Sequence, residues 1–189
     1  MSKTHTPSAS STSSARARLA QMIRVDHAGE HGAVRIYDGQ LAVFGKVKGM
    51  ENTADLVRHM AEQEQEHLEH FDKLIVERQI RPTIFSPFWD AAGFALGAAT
   101  ALMGEKAAMA CTAAVETEID AHYAAQLDEL EQSGADADLQ KTIEKFRADE
   151  AAHKQTAIDQ GAQEAPAYEL MTKIIRFGCR SAIAVSEKR

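Results

Sequence analysis

Only two of the eight histidines in this chain have a glutamate three residues before them: Glu64 precedes His67, and Glu150 precedes His153. Side chains three apart on a helix share a face, so each pair can reach one ion. Taken singly such a pair is a weak signal, since a chain of this composition yields about one by chance. The frame around the pairs is stronger. Glu30 to Glu64 and Glu116 to Glu150 are both 34 positions, while Glu30 to Glu116 and His67 to His153 are both 86. The chain thus runs twice through the same order, one glutamate and then one Glu-x-x-His. Four carboxylates carry four negative charges, which two divalent cations neutralise. Carboxylate oxygens with one imidazole per metal suit iron or manganese better than thiolate-seeking zinc. The candidate metal ligands are therefore Glu30, Glu64, His67, Glu116, Glu150 and His153, holding two ions of iron or manganese.

Four long helices are needed to position these groups, and hydrophobic period predicts them. Ile23, His27, Glu30, Val34, Tyr37, Leu41 and Phe44 step by fours and threes, the seam that a bundle helix turns inward. Leu56, Met60, Glu64, His67, Phe71 and Leu74 form a second stripe. A third is Met109, Thr112, Glu116, Ile119, Tyr123, Gln126 and Leu130, and a fourth is Leu139, Ile143, Phe146, Glu150, His153 and Ala157. Breaks fall at Gly49, from Arg81-Pro82 through Pro87, near Gly104, and at Ser133-Gly134. Each stripe is apolar except where a carboxylate interrupts it, and ionised carboxylates are almost never buried without a compensating charge. A Glu from each of two helices with a Glu-x-x-His from each of two others is the ligand pattern of ferritin-like di-iron and di-manganese bundles. The fold expected is all-α, a ferritin-like four-helix bundle with additional apolar and amphipathic helices for membrane contact.

Other acids and histidines read differently. Glu62, Glu66 and Glu69 form a solvated face, and Glu105 and Glu118 lie off the seam, Glu118 about 200° around the helix from Glu116. His27, His31, His59 and His70 lack a matched partner in the other half and read as surface or structural residues, with His27 one turn before Glu30. Asp149 is either an exposed acid or an acceptor that orients a ligating imidazole. His122 and Tyr123, two turns beyond Glu116, are either a proton relay or plain packing.

The 189 residues are 44% hydrophobic and 26% charged, which fits one globular domain rich in helix formers. A net charge of -7 argues against a surface that tracks phosphates, so no nucleic-acid partner is expected. Cys111 and Cys179 form no C-x-x-C and read as free buried thiols suited to a reducing compartment. Residues 1–18 are Ser- and Thr-rich, lack acids and contain no apolar core; a disordered tail is preferred there over a mitochondrial presequence, with the domain running over 19–189. No run is apolar enough to span a bilayer; the nearest, Phe88 to Gly104, is short and carries Asp90. That segment has Gly93 and Gly97 for close helix approach, and with the basic amphipathic stretch Ile174 to Arg180 it suggests a membrane surface and a greasy entrance for a lipid-like substrate. Two further packed helices are the plainer reading.

The strings Arg24-Val25-Asp26-His27-Ala28-Gly29-Glu30 and Ile36-Tyr37-Asp38-Gly39-Gln40 resemble the demethoxyubiquinone hydroxylase family of ubiquinone biosynthesis. So do Arg81-Pro82-Thr83, Gly93 to Ala98, Ala108 to Thr112 and Ala165-Pro166-Ala167-Tyr168, and the likeness covers about residues 20 to 187. His31 departs from the aromatic residue expected there. The resemblance implies a di-iron monooxygenase with two iron ions held at the six positions above; a hypothesis for the site has Glu64 and Glu150 bridging and Glu30 and Glu116 terminal. The implied substrate is a membrane-borne 2-polyprenyl-3-methyl-6-methoxy-1,4-benzoquinone (5-demethoxyubiquinone), hydroxylated in the penultimate step to ubiquinone. It also implies NADH as reductant, although no G-x-G-x-x-G is present, and it leaves open a lipid-binding companion protein or a homo-oligomer. The implied location is peripheral: the cytoplasmic face of the cell membrane in a bacterium, or the matrix face of the mitochondrial inner membrane in a eukaryote. The alternatives are a ferritin-like iron-oxidising or storage protein and a metal-free helical scaffold.

Overall fold

Glycine and proline set the helix boundaries. The computed structural model describes residues 9–188, and all the regular elements among them are helical. Helix α1 (Ala9–Phe44) is followed by α2 (Glu51–Glu77), which stops before the stretch from Arg81-Pro82 to Pro87. Helix α3 (Ser86–Leu102) has Pro87 in its first turn, where the missing N–H is not needed. Gly104, at φ 114°, turns the chain sharply into α4 (Glu105–Ser133), a backbone conformation that side chains disfavour. Gly134 ends α4 in the left-handed conformation, its N–H donating to the Leu130 carbonyl at 2.8 Å. The carboxylate of Asp136 caps α5 (Ala137–Asp159) by accepting from the Leu139 N–H at 3.0 Å. A 3-10 turn at Ala162–Glu164 leads to α6 (Tyr168–Ser186).

Helices α1, α2, α4 and α5 form the bundle, while α3 lies along α1, and α6 lies against α4 and α1. The expected breaks are all in place. One boundary differs: α1 begins at Ala9, so residues 9–18, expected in the tail, are helical. The Ala15-Arg16-Ala17-Arg18-Leu19 run favours helix, and the Arg18 guanidinium grips the Glu129 carboxylate of α4 with contacts of 2.9 and 3.0 Å. Residues 1–8 of that expected tail lie outside the described residues.

Two apolar clusters fill the bundle. One holds Tyr37, Phe44, Val57, Met60 and Met109; the other holds Ile23, Phe71, Leu130, Leu139, Ile143 and Phe146. The carboxylates of the four stripes fall between the two along every helix, so the polar layer is sealed at both ends. Glu62, Glu66, Glu69 and His59 are exposed, as the sequence predicts.

The α1–α3 contact is made backbone against backbone. A Cβ on Gly97 would overlap the Ile36 carbonyl, one on Gly39 would overlap the Phe94 carbonyl, and one on Gly93 would lie 2.9 Å from the Gly32 carbonyl oxygen. Helix α6 packs Ile175 and Met171 against α1 and α4 and adds a buried ion pair. Glu118 is 6% exposed and accepts from Arg176 Nε at 2.5 Å and Arg180 Nη1 at 3.0 Å. Among the described residues no helix is long and apolar enough to cross a membrane.

Gly97→Val should force α3 off α1 and cost about 1–3 kcal/mol by overpacking. A thermal melt that matches wild type would show that the backbones are not in contact there.

Candidate metal centre

One short stretch of each bundle helix supplies this site. Glu30 comes from α1, Glu64 and His67 from α2, Glu116 from α4, and Glu150 and His153 from α5. All six are at most 3% exposed. Their donor atoms converge in two groups: Glu30, Glu64, His67 and Glu150, and Glu64, Glu116, Glu150 and His153, each with its ligand atoms within 4.8 Å of one another. Glu64 and Glu150 belong to both groups.

Nδ1 of both histidines faces this centre. That of His67 lies 3.2 Å from Glu150 Oε1 and 3.6 Å from Glu30 Oε2. That of His153 lies 2.9 Å from Glu64 Oε1 and 3.3 Å from Glu150 Oε2. Despite these short distances no hydrogen bond satisfies either Nδ1, either oxygen of Glu64 or Glu150, or Oε2 of Glu30 and Glu116. Buried polar atoms left without partners are rare in folded proteins. A ring of converging lone pairs is the arrangement a cation satisfies, and carboxylates with imidazoles fit iron or manganese. The buried clusters can hold metal ions.

The outer partners repeat the 86-residue offset seen in the ligands. Tyr37 donates to Glu116 Oε1 at 2.8 Å, and Tyr123 donates to Glu30 Oε1, so each tyrosine serves the glutamate of the other half. Gln40 Nε2 donates to Thr112 Oγ1 at 3.3 Å, and Gln126 Nε2 donates to Asp26 Oδ1 at 2.7 Å. His67 Nε2 donates to Asp149 Oδ2 at 3.2 Å, and His153 Nε2 donates to Gln63 Oε1 at 3.1 Å. The sequence reading found Asp149 but missed Tyr37, Gln63 and Asp26; the same offset, carried from the ligands to Tyr37/Tyr123 and Gln63/Asp149, would have found the first two.

His122 and Tyr123 point to different partners. Tyr123 reaches Glu30, whereas His122 Nε2 sits 3.2 Å from the fully buried Asp26 Oδ1 and their rings are 6.3 Å apart. His27 pairs with Asp72 at 2.9 Å and His31 approaches Asp90 at 3.4 Å, the structural roles expected of them. Glu118 is off the centre as expected, but it is a buried anchor and not a solvated acid.

Burial dominates the electrostatics. It drives the carboxyls of Glu64 and Glu116 well above the usual range, and the charge of Glu150 adds to the effect. Glu30 is raised by burial too, with His67 opposing. Burial works against charge on Glu150 as well, but His153 and His67 hold it down to about 2. For His67 burial opposes the charged ring, yet Glu150 and Glu30 lift it to about 10. Burial keeps the phenols of Tyr37 and Tyr123 protonated, so both remain donors.

An all-helical bundle with paired carboxylate and imidazole clusters at its centre is a protein of the ferritin-like class. The chain belongs to the family described as Ubiquinone biosynthesis protein COQ7, whose profile matches residues 17–186. It is 49% identical to 3-demethoxyubiquinol 3-hydroxylase of Rhodospirillum rubrum, over 91% of this chain and 79% of that protein. It is 48% identical to the NADPH-dependent 3-demethoxyubiquinone 3-hydroxylase, mitochondrial, of Dictyostelium discoideum, over 90% of this chain and 77% of that one. The Homo sapiens protein of the same name is 45% identical over 92% of this chain and 79% of its own length. The reductant in the two mitochondrial names is NADPH, where the sequence resemblance implies NADH.

Without metal, burial raises Glu64 and Glu116 and the neighbouring carboxylates raise His67, so the folded chain binds more protons than the unfolded chain above the ordinary carboxylate range. Groups whose pKa rises on folding contribute stability at low pH that is lost as pH rises. The depression of Glu150 acts only below the ordinary carboxylate pKa. The melting temperature of metal-free protein should therefore fall between pH 5 and 8, and saturating Mn(II) or Fe(II) should flatten that slope while releasing protons. Parallel slopes with and without metal would contradict this.

Proposed function

We propose that this chain hydroxylates the ring of a polyprenylated demethoxyubiquinone, 2-polyprenyl-3-methyl-6-methoxy-1,4-benzoquinone, in the penultimate step of ubiquinone biosynthesis. The observation that carries the reading is the pair of four-donor clusters beside an apolar cavity, in a chain of this family. Glu30 and His67 would complete one metal position and Glu116 and His153 the other, with Glu64 and Glu150 shared as bridges, and two iron ions held there would supply dioxygen activation and ring oxygenation. The overall change takes one ring C–H and one dioxygen to a C–OH and one water, consuming two electrons and two protons. A reduced nicotinamide supplies the electrons; the names of the mitochondrial relatives favour NADPH.

The protein's own work is to receive the quinone and handle protons. A cavity of about 340 Å³ opens between α1, α3, α4 and α6. Its walls include Gly29 and Ala33, which flank Glu30, and Val115 and Ile119, which flank Glu116. Its volume falls in the ordinary range for small-molecule sites, and the lining excludes water while accepting an aromatic ring and the start of a prenyl chain. Trp89 lines this cavity, and its buried indole Nε1 has no hydrogen-bond partner, so it is free to donate to a ring oxygen. His122, 19% exposed at its side chain, serves as a proton carrier through buried Asp26, while Tyr123, expected with it in a relay, holds Glu30 through its hydroxyl.

A long-tailed quinone resides in a membrane, and α3 and α6 expose Phe88, Leu170, Ile174 and Phe177 to meet it. The chain works peripherally, on the cytoplasmic face of a bacterial membrane or the matrix face of the mitochondrial inner membrane, alone, as a homo-oligomer or with a lipid-binding companion. The family match displaces the iron-storage alternative.

Expression in a strain lacking the hydroxylase should restore ubiquinone for wild type and not for Glu150→Ala. If wild type at matched expression leaves the demethoxy precursor accumulating, the substrate is misassigned. His122→Ala should retain wild-type iron content while turnover falls about tenfold or more; unchanged turnover would reduce His122 to a packing residue.

A further inference from the structure

The two halves of the site match closely enough that their differences can be read one by one. Positions 86 apart carry the same residue at Glu30/Glu116, Tyr37/Tyr123, Gln40/Gln126, Glu64/Glu150 and His67/His153. Among the polar partners described above, the symmetry breaks at Gln63/Asp149 and Asp26/Thr112. Both breaks put the acid on the same side. Asp149 accepts from His67, a ligand of the first cluster, and Asp26 lies one turn before Glu30, the glutamate of that cluster. The second cluster has only neutral groups in these places: the Gln63 amide behind His153 and the Thr112 hydroxyl one turn before Glu116.

An acceptor on the far nitrogen of a ligating imidazole orients the ring and makes it a stronger donor, and an anionic carboxylate does so more than a neutral amide oxygen. Lys145 Nζ lies 3.9 Å from Asp149 Oδ2 and is itself largely exposed, so it screens this carboxylate without removing it from His67. Asp26 is held by His122 and Gln126 and adds a second acid behind the same cluster.

We propose that Asp149 and Gln63 are positioning residues that make the two metal positions inequivalent. The position completed by Glu30 and His67 takes the first ion and holds it more tightly; the position completed by Glu116 and His153 fills second. This rests on the di-metal reading above, and concerns which of the two positions is stronger.

The test uses the full chain, freed of metal and titrated anaerobically with ⁵⁷Fe(II), followed by Mössbauer spectroscopy and by a binding isotherm. Wild type should fill in two phases, with one quadrupole doublet growing before a second. Asp149→Asn should weaken the first phase about 10–100-fold, the usual loss for a partner behind a ligating histidine, and bring the two phases together. Gln63→Glu, which adds the missing carboxylate and leaves Asp149 in place, should tighten the second phase and move only the later doublet. A fall in packing alone would change the melt without altering one doublet selectively. Two equal phases in wild type, or an Asp149→Asn isotherm unchanged in its first phase, would overturn the inference. If Asp149→Asn does not fold, a Gln63→Glu isotherm identical to wild type would overturn it as well. Binding of no iron at all would instead remove the di-metal reading itself.

Discussion

Four carboxylates buried in the middle of a helical bundle are the constraint on which this molecule turns. Taking a carboxylate out of water is costly unless something nearby cancels its charge. Among the described residues no lysine or arginine pairs with Glu30, Glu64, Glu116 or Glu150; their ion-pair partners are the two imidazoles. The protein can accommodate these acids by keeping protons on some of them or by surrounding cations with them. The second solution also accounts for the direction of the lone pairs, which protons alone leave pointing at one another. The apolar clusters at either end make the problem worse and the solution stronger, because they keep water from sharing the charge.

Every neighbouring feature follows from that layer. Tyr37 and Tyr123 are held protonated by burial and so donate, leaving Glu116 and Glu30 each with one oxygen bonded to protein and one without a hydrogen bond. Asp149 and Gln63 hold the far nitrogens of the histidines, which turns Nδ1 toward the centre. Helices α3 and α6 add nothing to the ligand set; they wall a cavity beside it. Their attachments differ in kind: α3 sits on α1 through glycine backbones, and α6 is pinned to α4 through Glu118. The first is supplemented by the Arg35–Asp90 ion pair at 2.8 Å, the second by Ile175 packed against Ile36 and Val115.

The six converging groups were legible in the sequence because ligand spacing and helix period give the same answer at every one of them. The helices were legible for a like reason, since Gly104, Gly134 and the Pro82–Pro87 stretch punctuate an otherwise continuous period. What escaped was set by contacts between distant segments. Glu118 lies two residues from Glu116 and off the seam, so its burial depends wholly on α6 being placed against it. The helical state of residues 9–18 was hidden by their serines and threonines; it depends in part on Glu129, 111 positions beyond Arg18. Asp26 was invisible as a buried group because the stripe that runs through Ile23 and Glu30 takes its turn at His27, one residue later.

The crossing of the two tyrosines ties the two halves of the bundle together. Residues from Glu30 to His67 and from Glu116 to His153 read as two copies of one helix pair. Yet neither copy satisfies its own lone glutamate: Tyr37 bonds to Glu116, and Tyr123 bonds to Glu30. Either helix pair taken alone would leave its own lone glutamate without its phenol donor, so the two pairs interlock through these two bonds and a shift of one pair against the other breaks both at once.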